Sequence, residues 1–220
     1  MHITLIRHGQ TPSNVLGLLD TASPGPGLTP LGLRQAAAIP AELADRPVDA
    51  VFVSPLVRTA LTAAPLVAER DRVPVVLDGL AEIVAGDLEM RGDEGAVAAY
   101  LDTAFAWSSG ELNRRMPGGE SGHDFFARFD NAIRDIAASG AAHAVVFSHG
   151  AAIRAWASAR IRGVHRGRVE RTHFPNTASV EFKGSESAGW DLVEWRAAPM
   201  GGVSLLPSVE DDPTGAPAPE

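Results

Sequence analysis

The chain has 220 residues, 45% of them apolar and 21% charged, with a formal net charge of −8 and no cysteine. That length suits one domain with a substantial core, and the lack of cysteine excludes disulfides, thiolate metal sites and cysteine nucleophiles together. No window approaches the roughly 18 uncharged apolar residues of a membrane span and no basic-then-apolar leader is visible, so a cytoplasmic protein with no membrane partner is expected.

Residues 3–6 read as a short apolar strand that runs straight into Arg7-His8-Gly9. Thr29-Pro30 suits the cap and first turn of a helix. Leu31, Ala36, Ile39 and Leu43 then keep near-helical spacing, with Pro40 as a kink. Residues 49–53 form a second strand, and Ser54-Pro55 repeats the cap-plus-proline signal for a helix to about residue 70. The valine-rich stretch 73–77 is a third strand and residues 78–91 a loop. A helix over 94–107 precedes a loop over 113–119, punctuated by Pro117-Gly118-Gly119. Ser121 and Asp124 make a capping box ahead of Phe125, Phe129, Ile133 and Ile136, which share one helical face; Gly140 ends that helix. Residues 144–147 are a fourth strand, followed by Ser148-His149-Gly150 and a helix to about residue 160. Stretches 180–182 and 190–195 read as late strands. The alternation predicts an α/β fold, a three-layer α/β/α sandwich whose mostly parallel sheet is covered on both faces.

Charge is unevenly spread. The last twenty residues carry Glu210, Asp211, Asp212 and Glu220 with no basic residue, together with Pro207, Pro213, Pro217 and Pro219. The expectation is a domain over residues 1–200 and a disordered acidic tail over 201–220. From residue 154 to residue 171, six arginines face Glu170 alone. Without interleaved aromatics or a nucleic-acid module, that run reads as a solvated face, and no nucleic-acid partner is expected.

In open α/β sheets, ligands bind beyond the carboxyl ends of the strands. Arg7-His8-Gly9 follows the first strand, Arg58 lies one turn into the helix after the second, and Ser148-His149-Gly150 follows the fourth. Helix N-termini at the same edge add partial positive charge and free N–H groups. Two guanidinium groups and two imidazoles at one crevice repel one another unless an anion sits among them. A phosphoryl group, whose oxygens match the planar guanidinium fork, is the natural guest.

These segments resemble a known family. Leu5-Ile6-Arg7-His8-Gly9-Gln10-Thr11 with Asn14, Leu28-Thr29-Pro30-Leu31-Gly32 with Gln35-Ala36, and Ser54-Pro55-Leu56 with Arg58 and Thr62-Ala63 come first. Leu80-Ala81-Glu82-Ile83 with Gly86, Pro117-Gly118-Gly119-Glu120-Ser121, Ser148-His149-Gly150 and later Asn176 follow in order. Together they closely resemble the histidine phosphatase superfamily, the phosphoglycerate mutase-like proteins, over about residues 3–182. The resemblance implies a phosphoglycerate mutase-like fold and a metal-independent phosphomonoesterase with no cofactor, acting on a small phosphorylated molecule. His8 would be the nucleophile, phosphorylated in passing. Arg7, Arg58 and His149 would hold the equatorial oxygens, Asn14 would add a hydrogen bond, and Glu82 would protonate the leaving oxygen. Asn113-Arg114-Arg115 flanks the pocket mouth by resemblance, which makes Arg114 and Arg115 candidates for a second anionic group on the substrate. His2, His123, His143 and His165 read as structural or surface histidines, and His173 stays open.

Two places depart from the family pattern. Met90 stands where a glycine often closes the Gly-x-x-Glu-Gly segment, and the loop 20–27 lacks the usual compact Asp-x-Pro run. Only residues 83–116 separate the acid loop from the Gly-Gly-Glu segment, shorter than in glycolytic-type mutases, which favours hydrolysis over mutase-type transfer. A non-catalytic phosphate-binding module is the other alternative, and the presence of all four core residues and an acid speaks against it.

Overall fold

The first six strand residues, His2–Arg7 (β1), form the middle of the sheet rather than its edge. The computed structural model describes residues 1–207 and 212–217. The elements after β1 are α1 (Pro12–Val15), α2 (Pro30–Glu42), β2 (Ala50–Val53), α3 (Val57–Arg70), β3 (Val75–Val76), α4 (Glu94–Ser108) and α5 (Gly122–Ala138). The order continues with β4 (His143–Ser148), α6 (Gly150–Arg160), β5 (Ile161–Arg162), α7 (Arg166–Arg171), β6 (Ser179–Ser185) and β7 (Gly189–Arg196).

The seven strands lie in the order β3-β2-β4-β1-β6-β7-β5. β3, β2, β4 and β1 run parallel, whereas β6 joins β1 and β7 joins β6 antiparallel. The two-residue alternation of a strand sorts the apolar side chains to two faces. Ile3, Leu5, Ala144 and Val146 meet a core that includes Tyr100, Phe125, Phe129 and Trp156 from α4, α5 and α6. Ile6, Val145 and Phe147 meet Ile39 and Leu43 and, from α3, Ala63 and Leu66. The sheet is therefore covered on both sides, as the continuous apolar strands require. In the β1–β4 register Arg7 lies opposite Ser148, which delivers His8 and His149 to the same sheet edge.

Local signals behave as their chemistry dictates in most places. Thr29 Oγ1 accepts from Gly32 N at 3.0 Å with Pro30 in the first turn of α2, and Ser121 and Asp124 form the capping box of α5. Four places differ. α3 starts at Val57 with Leu56 as its cap residue and no side-chain cap, because Ser54 lies two residues earlier, where its hydroxyl meets Leu56 N at 3.2 Å and His149 Nε2 at 2.7 Å. The third strand shrinks to Val75–Val76, since it is a sheet edge where Val73, Val75 and Val76 face solvent and only one neighbour offers hydrogen bonds. The arginine run is not wholly solvated: Arg154 is fully buried. Finally, the stretch expected to be a disordered tail folds back where it is described. Val203–Leu205 makes a short turn, with Gln35 Nε2 donating to the Leu205 carbonyl at 2.9 Å, and residues 212–216 return to the carboxyl end of β1. Composition weighs apolar burial, whereas this segment is held by polar bonds to buried arginines. Glu210, Asp211 and Glu220 lie outside the described residues. No helix among the described residues is long and apolar enough to cross a membrane.

Candidate active site

β1 delivers Arg7 and His8, both buried, to the carboxyl edge of the sheet. Gly9 packs so close to Gly32 that a Cβ there would lie 2.8 Å from the Gly32 carbonyl oxygen, and its N–H donates to Thr62 Oγ1 at 2.9 Å. The room left by Gly9 is thus taken by backbone, which locks the turn after the strand. His8 Nδ1 lies 2.8 Å from the Gly9 carbonyl. A carbonyl only accepts, so Nδ1 carries the proton and Nε2 keeps a free lone pair. Burial, then Arg58 and Arg7, hold the His8 pKa well below its ordinary 6.5, and the imidazole is neutral at pH 7.

Arg58 enters from the first turn of α3. Its Nη2 donates to the Asp20 carbonyl at 2.9 Å and its Nε to His149 Nδ1 at 3.3 Å. A guanidinium always donates, so His149 Nδ1 accepts and its Nε2–H donates to Ser54 Oγ at 2.7 Å. Burial and the neighbouring Arg58 keep His149 neutral as well, with a pKa well below 6.5. The two imidazole rings sit 5.2 Å apart, centre to centre. Two buried guanidinium nitrogens, Arg7 Nε and Arg58 Nη1, have no hydrogen-bond partner. Orphaned buried donors are costly; Arg70 Nε and Arg154 Nε also lack a hydrogen-bond partner, but Arg7 and Arg58 are the two arginines whose charge acts on His8.

Glu82 reaches the start of α6. Its Oε1 accepts from Ile83 N at 2.9 Å and Ala152 N at 2.8 Å, and its Oε2 from Ala151 N at 3.2 Å. Burial raises its pKa, and the backbone donors and Arg58 oppose that without reversing it. Oε2, with one long bond, is the oxygen left to carry a proton. Asn14 caps its own short helix, its Oδ1 accepting from Thr11 N at 2.9 Å and from Asn176 Nδ2 at 3.2 Å. Asn176 Nδ2 also donates to the His8 carbonyl at 3.1 Å.

Of the residues expected from the sequence, Arg7, His8, Arg58, Glu82 and His149 converge on one buried centre, with Asn14 beside it. Arg114 and Arg115 do not join them. Arg115 is exposed and donates to the Gly119 carbonyl at 3.1 Å and to Asp124 at 3.3 Å, and no described bond ties either guanidinium to that centre. Several contributors escaped sequence reasoning. Asp20 backs Arg58, and Ser54, read as a cap, orients His149. Asp212 and Thr214 bind Arg7 from a segment whose composition signals only disorder. Met90 adopts φ 59°, the left-handed conformation that explains why a glycine is usual there, while the preceding Glu89 carboxylate accepts from Thr21 N at 2.8 Å and Ala22 N at 3.0 Å. No cluster of three His, Asp or Glu side chains among the described residues is arranged to hold a metal.

The family model of the histidine phosphatase superfamily, branch 1, matches residues 3–198. The chain belongs to this superfamily. A PE-PGRS family protein of Mycobacterium tuberculosis is 39% identical over 92% of this chain, which spans 38% of that protein's length. An adenosylcobalamin/alpha-ribazole phosphatase of Salmonella typhimurium is 33% identical over 60% of this chain and 65% of its own. Among solved structures, a mycobacterial glucosyl-3-phosphoglycerate phosphatase in complex with VO3 superposes with a TM-score of 0.73 at 27% identity, covering 90% of this chain and 99% of that one.

Proposed function

We propose that this chain is a metal-independent phosphomonoesterase that hydrolyses a small phosphorylated metabolite through a phosphohistidine at His8. One observation carries the reading: a neutral His8 with its Nε2 lone pair free, beside two guanidinium groups that each keep a buried, unbonded nitrogen. The likeness to phosphatases of ribazole phosphate and glucosyl-3-phosphoglycerate, one of them solved with VO3, supports it.

In the first step Nε2 attacks phosphorus, the P–O bond to the alcohol breaks, and Glu82 passes its proton to the departing oxygen. Arg7 and Arg58 stabilise the charge spread over the equatorial oxygens. His149, held neutral by burial and then by Arg58, keeps Nδ1 as the acceptor for Arg58 Nε and so orients that guanidinium for the phosphoryl group. In the second step water gives a proton to Glu82 carboxylate and its oxygen attacks phosphorus, releasing phosphate and restoring His8. Arg114, whose guanidinium is exposed, is the remaining candidate for a second anionic group on the substrate, Arg115 being held by Asp124.

The test is turnover of p-nitrophenyl phosphate by the wild type and His8→Ala, with and without EDTA. We expect wild-type turnover insensitive to EDTA, a loss of several orders of magnitude in the variant, and an acid-labile phosphate on the quenched wild type. Full turnover by His8→Ala, or dependence on a divalent ion, overturns the mechanism. Interconversion of phosphoglycerates without net phosphate release would instead identify a mutase.

A further inference from the structure

The residues from 212 to 216 make more bonds to the buried centre than any terminal segment needs merely to lie on a surface. Asp212 Oδ2 accepts from Arg7 Nη2 in a buried ion pair, and Asp212 Oδ1 accepts from Asn14 Nδ2 at 3.2 Å. Thr214 Oγ1 accepts from the same Arg7 Nη2 at 2.8 Å. The backbone is gripped too. Phe174 N donates to the Gly215 carbonyl at 2.9 Å, and Arg154 Nη1 donates to the Thr214 and Ala216 carbonyls at 3.2 and 2.7 Å. Arg154 also donates from Nη2 to the Val169 and Glu170 carbonyls at 3.0 and 3.4 Å, so it ties this segment to α7 as well. It follows His149 by little more than one turn of α6 and lies over the Phe105 ring at 4.7 Å, with Nη1 the nitrogen that receives this segment. A Cβ on Gly215 would collide with Arg7 Nη1, and one on Gly150 would lie 2.7 Å from the Thr214 carbonyl. At Gly150 and Gly215 the backbone itself packs against the Arg7 guanidinium, beside the Asp212 and Thr214 side chains that bond it.

The contacts take one edge of the Arg7 guanidinium and leave the other. Nη1 is spent on the Phe174 carbonyl and Nη2 on Asp212 and Thr214, while Nε is buried and unbonded. A buried guanidinium needs a counter-ion and a fixed orientation, and a carboxylate on its far edge supplies both. We infer that Asp212 is a positioning residue: with Thr214 it turns the Arg7 guanidinium so that Nε is presented to the phosphoryl group, and the active site is complete only when this C-terminal segment is docked. This rests on the phosphatase reading above. The opposing assignment is a carboxylate that competes with phosphate by taking Arg7 Nη2 and Asn14 Nδ2; against it, Arg7 Nε and Arg58 Nη1, both buried, have no partner while Asp212 is in place.

The experiment measures inorganic phosphate affinity by calorimetry, together with kcat and KM for p-nitrophenyl phosphate. It compares the full chain, Asp212→Asn, Gly215→Ala and a chain ending at Pro207, each with its melting temperature. Asp212→Asn and Gly215→Ala should each weaken phosphate binding at least tenfold while remaining folded at the assay temperature. The shortened chain should lose most of its turnover and regain it when a peptide of residues 208–220 is added. A merely structural tie would lower the melting temperature and leave phosphate affinity intact, which overturns the inference. Tighter phosphate binding or faster turnover in the variants overturns it in favour of a competitor. If Asp212→Asn does not fold, the shortened chain with and without peptide decides: equal turnover in both, active or inactive, overturns the inference. A full-length wild type that neither binds phosphate nor turns over overturns the phosphatase reading itself; a wild type that does both beside unchanged variants overturns this inference alone.

Discussion

Glu82 is pulled two ways. Three backbone N–H groups at 2.8–3.2 Å favour its carboxylate, yet burial outweighs them and raises its pKa. A phosphoryl dianion alongside adds like charge and raises it further. On the mechanism proposed above, the group would be an acid when substrate is bound and a base once the alcohol has left. His8 is shifted in the other sense, so protonation silences it only well below pH 6.5. The pH profile of turnover should keep its acid limb low, and fall on the alkaline side as pH rises through the raised Glu82 value. Glu82→Gln should lower turnover of an alkyl phosphate by roughly 10²–10⁴ and abolish that alkaline limb, with a much smaller loss for p-nitrophenyl phosphate, whose leaving group needs no proton. Equal losses on the two substrates would remove Glu82 from the acid role.

The loop that carries Glu82 lies between single 3₁₀ turns at Asp78–Leu80 and Gly86–Leu88, and it is tied to α4 through Tyr100, to α6 through Ala151 and Ala152, and to α5 through Arg128. Arg128 on α5 donates from Nη1 to the Gly79 and Ala81 carbonyls at 2.9 and 2.8 Å and from Nη2 to the Glu82 carbonyl at 2.9 Å. It also pairs with Glu120 at 2.7 Å, whose carboxylate accepts from Val84 N at 3.1 Å. Replacing Arg128 by Met should cost about 2–3 kcal/mol of stability, since it strands several partly buried polar groups. It should also depress alkyl phosphate turnover more than p-nitrophenyl phosphate turnover, mimicking the loss of a well-placed acid; Arg128→Lys, keeping one of the contacts, should fall between. Unequal losses on the two substrates would be absent if Arg128 served stability alone. The capping box and the Phe125–Ile136 face of α5 are legible in the sequence because they depend on spacing within one helix. Arg128 is not, because its partners are carbonyls up to 49 residues away that any residue type could supply. The same distinction runs through the site. Arg7, His8, Arg58 and His149 stand at strand ends and in a helix's first turn and can be read from the motifs. Asp20, Asp212 and Thr214 come from loop and tail stretches where folding, not local pattern, decides the neighbour.

Across the whole molecule, burying two neutral imidazoles links stability to pH. Unfolded, His8 and His149 take up protons near pH 6.5, whereas folded they resist protonation until well below it. In that window the unfolded chain binds more protons, so stability falls as pH drops below about 6.5. Glu82 acts oppositely: its raised folded value lets the native state bind the proton first, and stability recovers as pH falls through its window above 4.5. With two histidines opposing one carboxyl in this window, the melting temperature in phosphate-free buffer should decline from pH 6.5 to pH 5. His149→Gln should flatten that decline, and an unchanged slope would place its origin elsewhere. The bond from Arg7 to Asp212 joins positions 205 apart in sequence. At a ribosome adding ~5–20 residues per second, ~10–40 s separate the synthesis of the arginine from that of its carboxylate. On the reading proposed above, a nascent chain thus carries His8 long before Asp212, and cellular phosphates would meet a finished anion pocket only once residue 212 has been made and docked.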